Sequence, residues 1–201
     1  GTMFWDTGNH GSKKASVDIT TSDDAVKHSG NYAAKLESKF ASMLGIGQFA
    51  AGNIFTGKYL ETKMDGVTGN GVIGWGRPFN SRPTALHGYV RYISATVDND
   101  NNCDYINTGD PDIGSIFIVL GNWPGESYGG ETWPVIVKTN FKNINSAQLF
   151  DVNSEYIIGY GEKDFTSSTE GEGMIEFTIP VDYRYTNRKP TAIIIVASSS
   201  K

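Results

Sequence analysis

Two arginine–proline pairs and two tyrosines lie close together in the segment Gly76–Tyr92. Arg77 and Arg82 each precede a proline, and Tyr89 and Tyr92 follow them. Proline disfavours helical backbone at the preceding residue, so both arginines are expected in extended backbone. A guanidinium group offers planar donors and a tyrosine offers a flat apolar ring, which together suit a polar ring-shaped ligand such as a sugar. The alternative is structural, with the arginines bound to backbone carbonyls or an aspartate.

Four tryptophans are the next candidates for ligand contact, because the C–H face of a sugar stacks on an exposed aromatic ring. Trp123 and Trp133 lie on either side of a glycine-rich segment, and each precedes a proline. We therefore expect these two rings to be exposed and to act as stacking surfaces, with Trp75 and Tyr89 as further candidates. The alternative for each tryptophan is a place in the core of a large sandwich.

Carboxylates are the residues that hydrolysis of a glycan would require, since it uses two of them across a cleft. Glu37 and Glu176 lie on the polar sides of alternating segments, Glu162 follows a predicted strand, and Asp104 lies near another. Two of these four would act as acid and as base or nucleophile. The alternative is that they are solvated side chains on the outer surface.

An oxygen-rich run resembles a calcium-binding loop. Asp98, Asp100 and Asn102 match the first three ligand positions of an EF-hand loop, and Asp104 follows. Cys103 stands where that loop requires glycine, and the closing glutamate is missing, so a polar surface turn is the favoured interpretation. No cofactor is otherwise expected.

Two further patterns do not support a catalytic role. Ser127 lies in a G-x-S-x-G motif, but a nucleophile elbow needs a helix directly after it, and the segment 130–134 is poor helix sequence. His10, His28 and His87 are scattered without the spacing of metal ligands.

Short segments of alternating or β-branched residues, separated by Gly, Asn and Asp, dominate the chain and predict strands. Residues 32–38 and 174–179 alternate clearly, whereas the segment 191–197 is continuously apolar and is expected to be covered on both faces. The other predicted strands are Val17–Thr20, Phe55–Lys63, Ala85–Ile93, Ser115–Leu120, Pro134–Thr139 and Glu155–Gly161. A helical turn is predicted at Phe40–Phe49 or Asn145–Phe150. The pattern predicts an all-β fold, a two-sheet antiparallel β-sandwich (jelly roll), forming one domain over residues 1–201.

Composition narrows the classes of partner. The net charge of −5 and the isoelectric point near 5.2 argue against nucleic acid as a partner. No apolar segment approaches the roughly 20 residues of a membrane span. Cys103 is the one cysteine of the 201 residues, so an intrachain disulfide is excluded.

Several segments, in order along nearly the whole chain, resemble a known family. They are Phe4–Asn9, Gly30–Ser38, Phe49–Tyr59, the double Arg-Pro segment, Glu176–Pro180 and Arg188–Thr191. The family is the "putative carbohydrate metabolism domain" of gut and oral Bacteroidetes. The resemblance implies a jelly-roll sandwich similar to carbohydrate-binding modules and some glycan hydrolases, in an exported protein of the periplasm, outer-membrane surface or extracellular space. It brings no catalytic residue with it.

The same resemblance implies that this chain is a fragment, without an N-terminal domain and a last strand. Three functions therefore stay open: carbohydrate binding without chemistry, glycoside hydrolysis by a carboxylate pair, and a non-catalytic adhesion or structural role. The expected partner is a carbohydrate, and the sequence gives no indication of oligomeric state.

Overall fold

Antiparallel β-strands make up most of the fold. A computed structural model describes residues 3–43, 46–98 and 107–201. In chain order its strands are β1 (Trp5–Thr7), β2 (Thr20–Asp23), β3 (Ala33–Leu36), β4 (Lys39–Met43), β5 (Ile46–Ala50), β6 (Asn53–Asp65), β7 (Thr68–Trp75), β8 (Arg77–Pro78), β9 (Ala85–Val90), β10 (Gly114–Gly121), β11 (Glu126–Tyr128), β12 (Glu131–Trp133), β13 (Val135–Lys138), β14 (Ile157–Phe165), β15 (Ile175–Pro180), β16 (Asp182–Tyr183) and β17 (Ala192–Ser198). A single helical turn, α1 (Asn9–Ser12), and short 3-10 turns at Lys13–Ala15 and Ile144–Ser146 complete the described elements.

One nine-stranded sheet organises the molecule. Its strands run in the order β13-β7-β6-β17-β10-β14-β16, and β1 and β8 pair with β6 and β17 respectively. Strand β17 lies at the centre, where its β-branched side chains fit a strand that is buried on both faces. The predicted coverage of both faces is therefore confirmed.

One face of this sheet, the hairpin face, is covered by the antiparallel pair β9–β15. Ile118 and Leu120 of β10 and Ile193 of β17 pack there against Phe177 and Ile179 of β15. The alternation of β15 explains this contact, because Phe177 and Ile179 are buried while Glu176 and Thr178 stay exposed.

The opposite face, the aromatic face, buries Phe55, Val119 and Ile194 at its centre. Trp75 and Phe117 lie beside them, with ring centroids 5.9 Å apart. The β4–β5 pair and loops, rather than a complete second sheet, lie on this side. It is therefore the side of the molecule on which clefts open.

The predicted all-β sandwich class is confirmed, although several elements differ from their predictions. The strand expected at Val17–Thr20 lies instead at β2, and the helical turn expected at Phe40–Phe49 is replaced by the β4–β5 pair. Strand β7 was not predicted, because glycines interrupt its apolar pattern. Among the described residues, no helix is long and apolar enough to cross a membrane.

Gly74 of β7 shows why those glycines are present. A Cβ atom at this position would lie 2.3 Å from the ring of Trp133, a distance that no relaxed contact allows. We expect Gly74→Ala to lower the free energy of unfolding by about 2 kcal/mol through overpacking, measured by urea denaturation. The matched control is Gly173→Ala, because no atom lies within 4 Å of a Cβ at Gly173. Equal losses of stability in Gly74→Ala and Gly173→Ala would contradict the conclusion that Gly74 makes room for the Trp133 ring.

Candidate functional site

An aromatic cleft opens at the end of the large sheet where β10 stops and β14 begins. Trp123 follows β10 directly, and its ring turns back onto Gly121, where a Cβ atom would lie 2.4 Å from the ring. One side of the ring packs against the buried residues of the aromatic face, and the ring also lines a cavity of about 210 Å³. We call this cavity the tryptophan cleft. Its other aromatic walls are the partly buried Phe150 and the exposed Tyr156.

Polar side chains are arranged around these rings. Gln148 donates a hydrogen bond from Nε2 to Oε2 of Glu126 at 2.7 Å, and its backbone pairs in both directions with that of Lys138. Asp151 accepts a hydrogen bond at Oδ1 from the backbone of Asn153 at 2.8 Å. The tryptophan cleft thus combines apolar rings with directed hydrogen-bonding groups, the combination found in small-molecule sites.

Arginines fix the loop that forms one wall of the tryptophan cleft. Arg184 donates to the carbonyl of Val152 at 2.7 Å, and Arg188 donates to that of Glu155 at 3.1 Å. Arg82 in turn donates to the carbonyls of Tyr185 at 2.8 Å and Arg188 at 2.5 Å. Its guanidinium also lies 4.0 Å from the ring centroid of Tyr183. Arg82 therefore stabilises the segment next to the cleft wall by binding backbone carbonyls, which is the structural alternative given for this residue.

A larger cavity of about 390 Å³ lies elsewhere on the aromatic face, beside Tyr59. Its polar groups are largely paired within the protein. The Tyr59 hydroxyl bonds Thr62 at 2.9 Å, the Gln48 amide bonds the backbone of Gly69, and the Asn53 amide bonds the backbones of Gly8 and Ala51. This cavity therefore offers a hydroxyl-rich ligand fewer directed partners than the tryptophan cleft does.

Two carboxylates meet on the aromatic face along β14. Glu162 and Asp164 are two residues apart and share Lys201, whose Nζ lies 2.6 Å from Glu162 Oε1 and 3.0 Å from Asp164 Oδ2. The Tyr160 hydroxyl donates to Glu162 Oε2 at 2.8 Å. Burial acts to raise the pKa of Glu162, but the hydrogen bonds from Lys201 and Tyr160 outweigh it and lower the pKa. Burial, together with this acidic partner, raises the pKa of Tyr160.

The lowered pKa of Glu162 predicts a pH-dependent contribution to stability. A carboxyl whose pKa is lower in the folded state stabilises the protein above its unfolded value, about 4.3 for glutamate. That contribution is lost as the pH falls through the folded value. We expect Glu162→Gln to lower the free energy of unfolding at pH 7 by under about 1 kcal/mol, because the pair is partly exposed.

Chemical denaturation at pH 7 and below pH 4 measures this effect, since the difference between wild type and Glu162→Gln should shrink in acid. Glu176→Gln is the control, because Glu176 is exposed on the outer side of β15. A difference for Glu162→Gln that persists unchanged in acid would contradict the prediction.

The expectation of an exposed Trp133 is wrong. Its ring is 6% exposed on the hairpin face, where it packs over Gly74 and lies 5.1 Å from the guanidinium of Arg77. Arg77 is itself buried and donates to the carbonyls of Phe4 and Gly57. These contacts match the structural alternative for Arg77, so we propose neither residue as a ligand contact.

The remaining aromatic candidates, Trp75 and Tyr89, do not line the tryptophan cleft themselves. Trp75 packs against Phe150, which lines that cleft, with ring centroids 5.7 Å apart. Tyr89 is exposed on the outer side of β9, stacked on His28 at 3.4 Å and paired across the strands with Glu176. A role of Tyr89 in ligand binding stays a prediction.

The structure does not bring the predicted catalytic carboxylates together in pairs where it describes them. Glu162 lies on the aromatic face, Glu176 lies on the outer side of the β9–β15 pair, and Glu37 is paired with Lys39 at 2.9 Å. Asp104 lies outside the described residues. So do Asp100 and Asn102 of the calcium candidate, whereas its first residue, Asp98, is described and exposed.

The surroundings of Ser127, His10 and His87 do not match those of catalytic residues. Ser127 lies in β11 and bonds Thr132 across the β11–β12 pair at 3.1 Å, with no helix following. His10 bonds Asp6 at 3.1 Å, and His87 bonds Thr178 at 3.0 Å. Within the part of the chain that the structure describes, no three His, Cys, Asp or Glu side chains are close enough to hold a metal ion.

Several residues of the candidate site were missed from the sequence. Glu126 stands inside the G-x-S-x-G motif, and Gln148, Phe150 and Tyr156 lie in a predicted helical turn and a predicted strand, so none of them was a candidate for ligand contact. The one local sequence signal is that two of these residues, Phe150 and Tyr156, are aromatic.

The fold and the site together define an antiparallel β-sandwich with an open, aromatic-lined cleft. The chain belongs to the family described as "putative carbohydrate metabolism domain", whose model matches residues 1–201. This membership supports a role related to carbohydrate. No match was found among curated proteins.

Two solved structures from Bacteroides are similar in fold. One is described as a putative glycoside hydrolase from Bacteroides thetaiotaomicron, with a TM-score of 0.62 and 19% identity, covering 98% of this chain and 56% of that one. The other is described as a putative glycoside hydrolase from Bacteroides vulgatus, with a TM-score of 0.61 and 16% identity, covering 98% of this chain and 76% of that one. The chain thus spans little more than half the length of the first. At these identities the similarity shows the fold alone.

Proposed function

We propose that this domain binds carbohydrate at the tryptophan cleft without chemical conversion. The observation on which this proposal depends is the meeting of Trp123, Phe150 and Tyr156 with the polar side chains of Glu126, Gln148 and Asp151 in one open cavity. Aromatic rings provide stacking surfaces for the C–H faces of a pyranose, and the carboxylates and amide provide partners for its hydroxyls. The family description supports carbohydrate as the class of ligand.

The arrangement of this cleft favours recognition of a ligand in one preformed shape. The backbone carbonyls of Val152, Ser154 and Glu155 accept hydrogen bonds from arginines, and Gln148 is fixed by its backbone and side-chain hydrogen bonds. A wall that is already ordered loses little conformational entropy on binding. We also propose that the protein acts outside the cytoplasm, which fractionation of cells that express it would test.

Glycoside hydrolysis is a second candidate, and the acidic pair of β14 is the observation that favours it. Glu162 and Asp164 contact the same ammonium group, so the two carboxylates lie close together on one face of β14, and hydrolysis needs two neighbouring carboxylates. Both similar structures are also described as those of putative glycoside hydrolases. The lowered pKa of Glu162 fits an ionised nucleophile but not a proton donor. We therefore rank this function second.

A glycan array combined with hydrolysis assays on the same polysaccharides tests both functions. Binding without turnover, weakened by substitutions in the tryptophan cleft, would support the first. Turnover that disappears in Glu162→Gln and in Asp164→Asn, but not in Glu176→Gln, would support the second. No binding and no turnover would contradict both and leave an adhesion or structural role.

A further inference from the structure

The tryptophan cleft is acidic, and its acids are not neutralised by cations. Glu126 and Asp151 line the cleft, and across the described residues no ion pair involves either of them. Glu126 bonds Gln148 through Oε2, and Asp151 bonds the backbone of Asn153 through Oδ1. Within the described part of the chain, the other oxygen of each carboxylate accepts no hydrogen bond from the protein.

Positive charge is present nearby but does not line the cleft. The lining residues include no Lys, Arg or His among those that the structure describes. Arg184 and Arg188, the arginines that bind the wall, direct their donors to the carbonyls of Val152, Ser154 and Glu155. A ligand in the cleft would consequently meet two negative charges without a compensating guanidinium or ammonium group.

We infer that the tryptophan cleft selects uncharged or amine-bearing glycans and discriminates against glycans that carry carboxylate or sulfate groups. This inference rests on the proposed function and adds the class of ligand to it. A carboxylate accepts hydrogen bonds from sugar hydroxyls or from an ammonium group, but it has no proton to give to an anionic sugar. Bringing an anion beside two like charges in a partly desolvated cleft adds repulsion that no local donor offsets.

Matched oligosaccharides test this selectivity directly. The probes are tetrasaccharides of glucose, mannose and galactose, each compared with its C6-oxidised uronate form, which keeps the ring and the linkage but adds charge. Chitotetraose and its deacetylated form add the comparison between an amide and an amine. Isothermal titration calorimetry of the 201-residue chain at low salt should show uronates binding at least about tenfold more weakly than their neutral counterparts.

Two further measurements separate charge from shape. The double variant Glu126→Gln with Asp151→Asn replaces both acids by amides of the same shape, and it should reduce the preference for neutral sugars several-fold. Raising the salt concentration of the wild-type protein should narrow the same gap, because salt screens partly exposed charges. The salt experiment needs no variant, so it is independent of any effect on folding.

The outcomes separate a failure of the inferred charge selectivity from a failure of the proposed carbohydrate binding. Uronates that bind as tightly as neutral sugars, or a gap unchanged by both salt and the double variant, would overturn the inference while leaving carbohydrate binding intact. Failure of all probes to bind would overturn the inference together with the proposed function. Deacetylated chitotetraose is expected to bind at least as tightly as the acetylated form.

Discussion

Replacing Trp123 with alanine is expected to weaken glycan binding about thirtyfold or more, since loss of a central aromatic anchor costs about 2 kcal/mol or more. The ring both lines the tryptophan cleft and packs against buried residues of the aromatic face. Its removal therefore deletes a stacking surface and lets water into the cleft. Calorimetry with the best neutral ligand from the array measures the loss, and circular dichroism verifies that the variant remains folded.

Trp5→Ala is the matched control for this prediction. Trp5 is 41% exposed on β1 and lies in neither cavity, so its removal should leave the affinity unchanged. If Trp123→Ala binds as well as wild type, or if Trp5→Ala loses as much affinity, the tryptophan cleft is not the binding site. Tyr156→Ala is expected to give a smaller loss than Trp123→Ala, because Tyr156 is more exposed.

Replacing Arg77 with alanine is expected to lower the free energy of unfolding by about 3 kcal/mol, because two charge-assisted hydrogen bonds are lost and the one to Gly57 is buried. The acceptors are the carbonyls of Phe4 and Gly57, which belong to the segment around β1 and to β6. The side chain also lies against the ring of Trp133. Burial lowers the pKa of Arg77, opposed by Asp6 and Glu131, but an arginine remains charged at any pH at which the protein is folded.

Urea denaturation of three variants separates the contributions at Arg77. Arg77→Lys keeps the charge but loses the planar fork, so an intermediate loss is expected. Arg82→Ala is the control from the second Arg-Pro pair, and its partly exposed side chain predicts a smaller loss than Arg77→Ala. If Arg77→Ala lowers the free energy of unfolding by less than Arg82→Ala does, burial of the Arg77 guanidinium does not determine the size of the loss.

The sequence predicted the fold class well because the central strands are also the most apolar. Strands β10 and β17 contain β-branched residues on both faces, and such a pattern predicts a buried strand without tertiary information. Strand β7 escaped prediction because Gly69, Gly71 and Gly74 have poor strand propensity. Two of these glycines make room for rings from distant segments, Tyr59 and Trp133, and no local pattern shows that requirement.

The candidate site was predicted less completely than the fold. Both Trp123 and Trp133 were expected to be exposed beside a glycine-rich segment, but the structure has Trp123 partly buried and the ring of Trp133 buried over Gly74. Gln148, Phe150 and Tyr156 approach Trp123 only because the sheet brings the end of β10 beside the start of β14. A cleft formed by two loops far apart in the chain depends on sheet topology, which local sequence patterns do not encode.

The central position of β17 has a consequence for synthesis of the protein on the ribosome. In the strand order of the large sheet, β17 separates two halves, β13-β7-β6 on one side and β10-β14-β16 on the other. The two halves are joined in this order only through β17. A nascent chain that ends before residue 192 therefore has two unpaired sheet edges, on β6 and on β10, and exposed edges of this kind promote association between chains. The two halves can join only after residues 192–198 emerge from the ribosome. Cells that make this protein thus need its edges protected until that strand is available.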